Sequence, residues 1–161
     1  MLLCYCGTAF GWGKSGHDAI AYIAECNLTP KAKKNIEKYL DGRSIVYYAS
    51  WMDVYRHTPA YKVTSGWHGD RVDADGKYVP NAKGDALQCI EEAISRLKDY
   101  RSLDDSTVLV SIKYLVHLVG DMHCPVHVKY PWYKNFKFDL NGRPSELHSF
   151  WDSGGLDLNL S

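Results

Sequence analysis

Between His117 and His127 the chain reads His-Leu-Val-Gly-Asp-Met-His-Cys-Pro-Val-His, three histidines and a carboxylate in eleven residues that are otherwise apolar or small. Placing so many ligating groups among apolar neighbours costs stability unless something binds them. His117 and Asp121 are four apart at the end of an apolar run from Val108 to Val119. On a helix the two side chains therefore point at one object. Pro125 then ends the helix and turns His127 toward a different object.

The same spacing returns as His148-Ser-Phe-Trp-Asp152. Imidazole with carboxylate oxygen, and no obligatory thiolate, is the donor set of hydrolytic zinc, with manganese and non-haem iron as competitors. Weaker single signals are His17 after Trp12, Asp53 in Ser50-Trp-Met-Asp, and His68 in Trp67-His-Gly-Asp70. Taken alone, each is an ordinary cap, turn or surface residue.

Taken in order, these pieces resemble a known family. They are Trp12 with His17, Trp51-Met-Asp53 with Arg56, His68, His117-x-x-Gly-Asp121-x-His-x-Pro-x-His127 and Leu147-His148-x-x-Trp151-Asp152. Together they are similar to the zinc-dependent single-strand nucleases of fungi, plants and bacteria, the nuclease S-one/P-one family. The resemblance runs from Trp12 to Asp152. It implies three zinc ions: one on Asp53, His68, His117 and Asp121; a second, bridged by Asp121, on His17 and the terminal amine and carbonyl of Trp12; a third on His127, His148 and Asp152. It also implies catalytic roles for Asp53, Asp121 and Arg56, with Arg56 neutralising charge on the substrate phosphate and Asp70 a second substrate contact. The implied reaction is endonucleolytic hydrolysis of single-stranded DNA and RNA to 5′-phosphorylated products, with 3′-nucleotidase activity at the same site. The alternatives are a zinc-dependent phospholipase C and an inactive zinc-binding fragment.

The chain departs from the family pattern in three places. Gly69 stands where many members carry an aromatic residue, Val128-Lys-Tyr-Pro-Trp replaces a Gly-Gly-Asn, and Glu146 replaces an asparagine. Tyr61, Trp67, Tyr130, Trp132 and Tyr133 are the substitutes available for stacking a base.

The 161 residues, 45% hydrophobic, suffice for one core and one domain. Helical periodicity predicts helices over about 16–27, from Thr29-Pro30 to Gly42, over 44–56, 85–100 and 105–122, and from Pro144-Ser145 through Asp152. A long loop from Thr58 to Gly84 carries His68, and Asn141-Gly142 suggests one short β-hairpin near the C-terminus. The expectation is an all-α, mainly helical single domain with a tri-zinc cleft over residues 12–161, truncated at its C-terminus relative to the family.

No apolar run reaches the ~20 residues of a membrane span. Lys+Arg and Asp+Glu are both 19, so bulk charge does not attract polyanions, and metals with local stacking must hold a nucleic acid. Residues 1–11 end in Ala9-Phe-Gly11 and read as a signal peptide whose removal frees the Trp12 amine. Secretion or a periplasmic location follows, with a monomer and no stable protein partner. Cys26, Cys89 and Cys124 show no metal-type spacing, and Cys124 is read as packing.

Overall fold

The structure is a computed structural model that describes residues 13 to 154; the leader expected over 1–11 and the ligand expected at Trp12 lie outside the described residues. Six helices carry the fold: α1 (Lys14–Cys26), α2 (Pro30–Tyr39), α3 (Trp51–Tyr55), α4 (Ala86–Lys98), α5 (Asp105–Met122) and α6 (Leu147–Ser149), the last continuing into a π turn, Phe150–Gly154. Among the described residues, no helix is long and apolar enough to cross a membrane.

The central element is α5, which packs against α1, α2, α3 and α4. One side carries Val108 and Ile112 into an apolar cluster with Ala21, Leu40, Ile45 and Ala49. Further along, Leu118 meets Met52, Ala86 and Cys89. Leu118 is fully buried, a burial that contributes about 1.5–3 kcal/mol. Ser111, Lys113, His117 and Asp121 of α5 are also buried, so the helix is enclosed along much of its length.

Local chemistry sets the helix ends. Thr29 caps α2 through Ala32 N–H with Pro30 at the first turn, Asp85 caps α4 through Gln88 N–H, and Asp104 caps α5 through Thr107 N–H. At the far end of α2, Asp41 takes a φ of 52° while Gly42 N–H reaches Glu37 carbonyl at 2.8 Å, a Schellman closure.

Two expectations need correction. The helix expected over 44–56 is broken into a 3₁₀ turn, Ile45–Tyr48, and α3. Ser44 starts the 3₁₀ turn by accepting Val46 N–H, and the Ala49 carbonyl is taken by His117 Nδ1–H at 2.7 Å. Pro144 and Ser145 are in a strand, and helical structure starts only at Leu147. The expected hairpin is present: β3 (Lys137–Leu140) pairs antiparallel with β4 (Arg143–Glu146) across Asn141 and Gly142, both at positive φ as a type I′ turn requires. Unforeseen was a short parallel pair, β1 (Asp70–Arg71) with β2 (Val128–Lys129), which fastens the long loop beside His127.

Candidate metal centre

Four segments bring their ligating side chains together at the C-terminal end of α5. His17 comes from α1, Asp53 from α3, His68 from the loop before β1, and His117 with Asp121 from α5; all are buried. The two oxygens of Asp121 face different partners. Oδ2 lies 2.9 Å from His68 Nδ1 and 3.3 Å from His117 Nε2, whereas Oδ1 lies 3.3 Å from His17 Nε2. That is the arrangement of a carboxylate that bridges two cations. Asp53 stands 3.7 to 3.9 Å from the same three imidazoles.

A neighbouring group forms where the chain leaves α5. Pro125 starts a 3₁₀ turn that carries His127 back toward the C-terminal segment. His127 Nε2 lies 3.3 Å from Asp152 Oδ1, and His148 Nε2 lies 2.9 Å from Asp152 Oδ2. His127 Nδ1 is 3.5 Å from Asp121 Oδ1, so the groups adjoin.

Backbone carbonyls fix the ring orientations. His117 Nδ1–H donates to Ala49 carbonyl, and His127 Nδ1–H donates to His68 carbonyl. Each contact leaves Nε2 with its lone pair facing the acidic groups, as in carbonyl-oriented metal ligands. His17 stacks on His117 with ring centroids 4.2 Å apart, and His127 on His148 at 5.3 Å.

This donor set fits metal ions. Both nitrogens of His17, both oxygens of Asp53, Nε2 of His68 and Oδ1 of Asp121 are buried and make no hydrogen bond. Such groups are costly to bury without compensation. Three sets have ligand atoms mutually within 4.8 Å: His17 with Asp53 and His117, His68 with His117 and Asp121, and Cys124 with His127 and Asp152. Burial alone would push the Asp121 carboxyl up, yet the imidazoles of His117, His17 and His68 around it hold it well below the usual carboxylate range. Burial also opposes ionisation of Asp152, and His127 with His148 bring its carboxyl down to about 2.

Residues 12–160 match the model of the S1/P1 nuclease family. The chain belongs to that family. It is 27% identical to nuclease S1 of Aspergillus oryzae, an alignment covering 94% of this chain and 59% of that protein. Nuclease P1 of Penicillium citrinum is 29% identical over 88% of this chain and 57% of its own length. Endonuclease 2 of Arabidopsis thaliana is 27% identical over 91% and 57%. The chain thus spans less than three-fifths of each of these relatives.

In this S1/P1 family member, all eight described ligand candidates from His17 to Asp152 converge on the adjoining groups. A cleft of about 540 Å³ opens onto them, lined by His68, His127, His148 and Asp152 with Arg56, Arg71 and Lys129. Arg56 Nη1 lies 3.4 Å from Asp53 Oδ1. Arg71 and Lys129 are register partners in the β1–β2 pair, which sets two cations side by side on the wall. Asp70 also borders the cleft, but its Oδ1 accepts Leu87 N–H at 3.1 Å, and burial pushes its carboxyl up.

No Phe, Tyr or Trp is among the described residues that line this cleft. Gly69 has no room for a side chain, because a Cβ there would stand 2.6 Å from the His127 carbonyl oxygen. Tyr61 packs on Trp51, and Trp67 donates to Lys83 carbonyl while packing on Tyr114. Tyr130 and Trp132 stack on each other at 5.2 Å and are exposed. Tyr133 contacts His148 Nδ1 at 3.4 Å.

Two residues, Gly120 and Asn135, have roles at the site that the sequence reading did not assign. A Cβ at Gly120 would approach His17 Nδ1 to 2.6 Å, so this glycine admits the histidine; an unbroken helix interior containing Gly was the available signal. Asn135 accepts His148 N–H at 2.8 Å and donates to Glu146 at 2.9 Å, holding the start of α6. Cys124, expected to be packing, has its Sγ within 4.8 Å of ligand atoms of His127 and Asp152. His123 is exposed and donates from Nδ1 to the Val119 carbonyl at the end of α5.

Proposed function

We propose that the chain is a zinc-dependent phosphodiesterase that cleaves single-stranded DNA and RNA within the strand and leaves 5′-phosphorylated products, with 3′-nucleotidase activity at the same site. The observation that carries this reading is the Asp121 carboxylate, whose two oxygens serve two different sets of buried imidazoles. Two cations sharing one carboxylate form the symmetric clamp used for in-line displacement at phosphorus. Membership of a nuclease family favours this substrate over a phospholipid.

Asp53, His68, His117 and Asp121 would hold one ion, His17 with Asp121 and the main chain of Trp12 a second, and His127, His148 and Asp152 a third. Zinc bound there supplies Lewis acidity and water acidified toward a pKa of about 7. Support for Trp12 comes from its neighbour: Gly13 N–H donates to Asp152 carbonyl, which brings the chain entering α1 beside the groups. Cleavage after Gly11 would create the amine donor and make export and activation one event.

Arg56, held by Asp53, neutralises charge gathering on the phosphate oxygens. Arg71 and Lys129 grip phosphates further along the strand, and Asp70 keeps the loop docked on α4. An unpaired strand can bend into the cleft while its bases stack outside, with Tyr130 and Trp132 the exposed pair on offer; a duplex cannot. The protein would act as a monomer in a secreted or periplasmic setting.

The test is incubation of zinc-loaded protein, beginning at Met1 and at Trp12, with single-stranded DNA and RNA. The reading expects 5′-mononucleotides that a chelator abolishes, faster release from the form beginning at Trp12, and little cleavage of duplex. Folded, zinc-loaded protein that leaves both strands intact would refute it.

A further inference from the structure

We infer that Cys124 is a ligand of the third metal ion, which is then held by one thiolate, two imidazoles and one carboxylate. The inference rests on the metal-binding part of the proposed function and not on hydrolysis. Cys124 is 1% exposed, and its Sγ lies 3.8 Å from Asp152 Oδ1, the same oxygen that His127 Nε2 meets at 3.3 Å. His148 Nε2 approaches the other oxygen of Asp152.

These spacings are those of ligands around one ion. Zinc bonds of about 2.0–2.1 Å to nitrogen or oxygen and about 2.3 Å to sulfur place tetrahedral ligand atoms roughly 3.3–3.6 Å apart. Relative to Asp152 Oδ1, the sulfur therefore needs to move only a few tenths of an ångström. Packing alone does not account for its surroundings. Among the described residues the other buried cysteine, Cys89, lies in an apolar cluster with Met52, Ala86 and Leu118, as a packing cysteine should. Cys124 is in neither apolar cluster and faces a carboxylate and an imidazole.

Coordination breaks the S–H bond, releases that proton to solvent and forms one metal–sulfur bond, with no change in the oxidation state of sulfur. A thiolate makes the donor set softer and disfavours magnesium, calcium and manganese. Four protein donors also close the tetrahedron, as in structural zinc sites. The third ion then fastens the Cys124–His127 turn to the segment bearing His148 and Asp152, and any contact with a departing oxygen requires a fifth position.

Cobalt(II) reads the sulfur directly. Cobalt-loaded protein should show a near-ultraviolet thiolate-to-cobalt charge-transfer band, retained when Cys4, Cys6 and Cys26 are replaced by Ser and lost in Cys124→Ser. Cobalt bound with only its visible bands, a charge-transfer band that survives Cys124→Ser, or no cobalt uptake would each overturn the inference. X-ray absorption of the zinc protein needs no variant: it should show a sulfur shell near about 2.3 Å, and nitrogen and oxygen alone would contradict it. A sulfur signal without nuclease activity would leave this inference standing and remove the nuclease reading.

Discussion

Arg56 and Gly120 separate chemistry from construction at the level of single residues. Arg56 touches Asp53 at one edge and lines the cleft at the other, a placement that suits the substrate contact proposed for it. Arg56→Ala should lower kcat by about 10²–10³, the cost typical of removing one group that stabilises developing charge, with zinc content unchanged by elemental analysis. Zinc loss in this variant would move Arg56 from catalysis to metal retention. Gly120→Ala asks the converse question. Alanine normally improves a helix interior by about 1 kcal/mol, but here its methyl would sit 2.6 Å from His17 Nδ1. The crowding should cost about 1–3 kcal/mol and displace His17, so thermal denaturation and zinc analysis should both show losses. A more stable, fully loaded Gly120→Ala would contradict the packing described. The ligands themselves were legible because i,i+4 spacing is visible in one dimension: His117 with Asp121, and His148 with Asp152. Gly120 and Asn135 were not, because their partners His17 and His148 are known only once the chain is folded.

The elements show how capping chemistry stabilises the helix that carries His117 and Asp121. Asp104 accepts hydrogen bonds from Ser106 and from Thr107, through both its hydroxyl and its N–H at 2.9 Å, and these hold its carboxyl well below the usual carboxylate range. A depressed native pKa contributes stability above the unfolded value near about 4 and loses it as pH falls through the native value. The urea midpoint of Asp104→Ala should therefore lie below that of the parent at neutral pH, and the two should converge in acid. A gap unchanged at low pH would show that the carboxylate is not the capping group. Helices α2, α4 and α5 were legible from their caps and periodicity. The break between the Ile45–Tyr48 turn and α3 was not, since it depends on the Ala49 carbonyl being drawn to His117 across the core. Nor was the β1–β2 pair, two residues long and joining segments nearly sixty positions apart, whose closeness requires the absent side chain at Gly69.

In the whole molecule, buried carboxyl groups meet from segments far apart in the chain. Asp53, Asp121 and Asp152 come from α3, α5 and the C-terminal π turn, and all three are nearly inaccessible. Ions bound among them stabilise the native chain by mass action, about 2.7 kcal/mol at a hundredfold excess over Kd. For a domain of this size, chelation should lower Tm by about 5–10 °C, recovered by zinc and not by magnesium. An unchanged Tm would mean that the fold does not depend on these groups being filled. The most direct test of the central claim, that the His and Asp groups are a multinuclear metal centre bridged by Asp121, is zinc per chain measured by elemental mass spectrometry on dialysed protein. The account predicts three ions per chain, one on each of the ligand sets proposed above, with Asp121→Ala losing the two bridged ions and keeping the third. Protein that is folded yet free of zinc, or Asp121→Ala with the metal content of the parent, would contradict it.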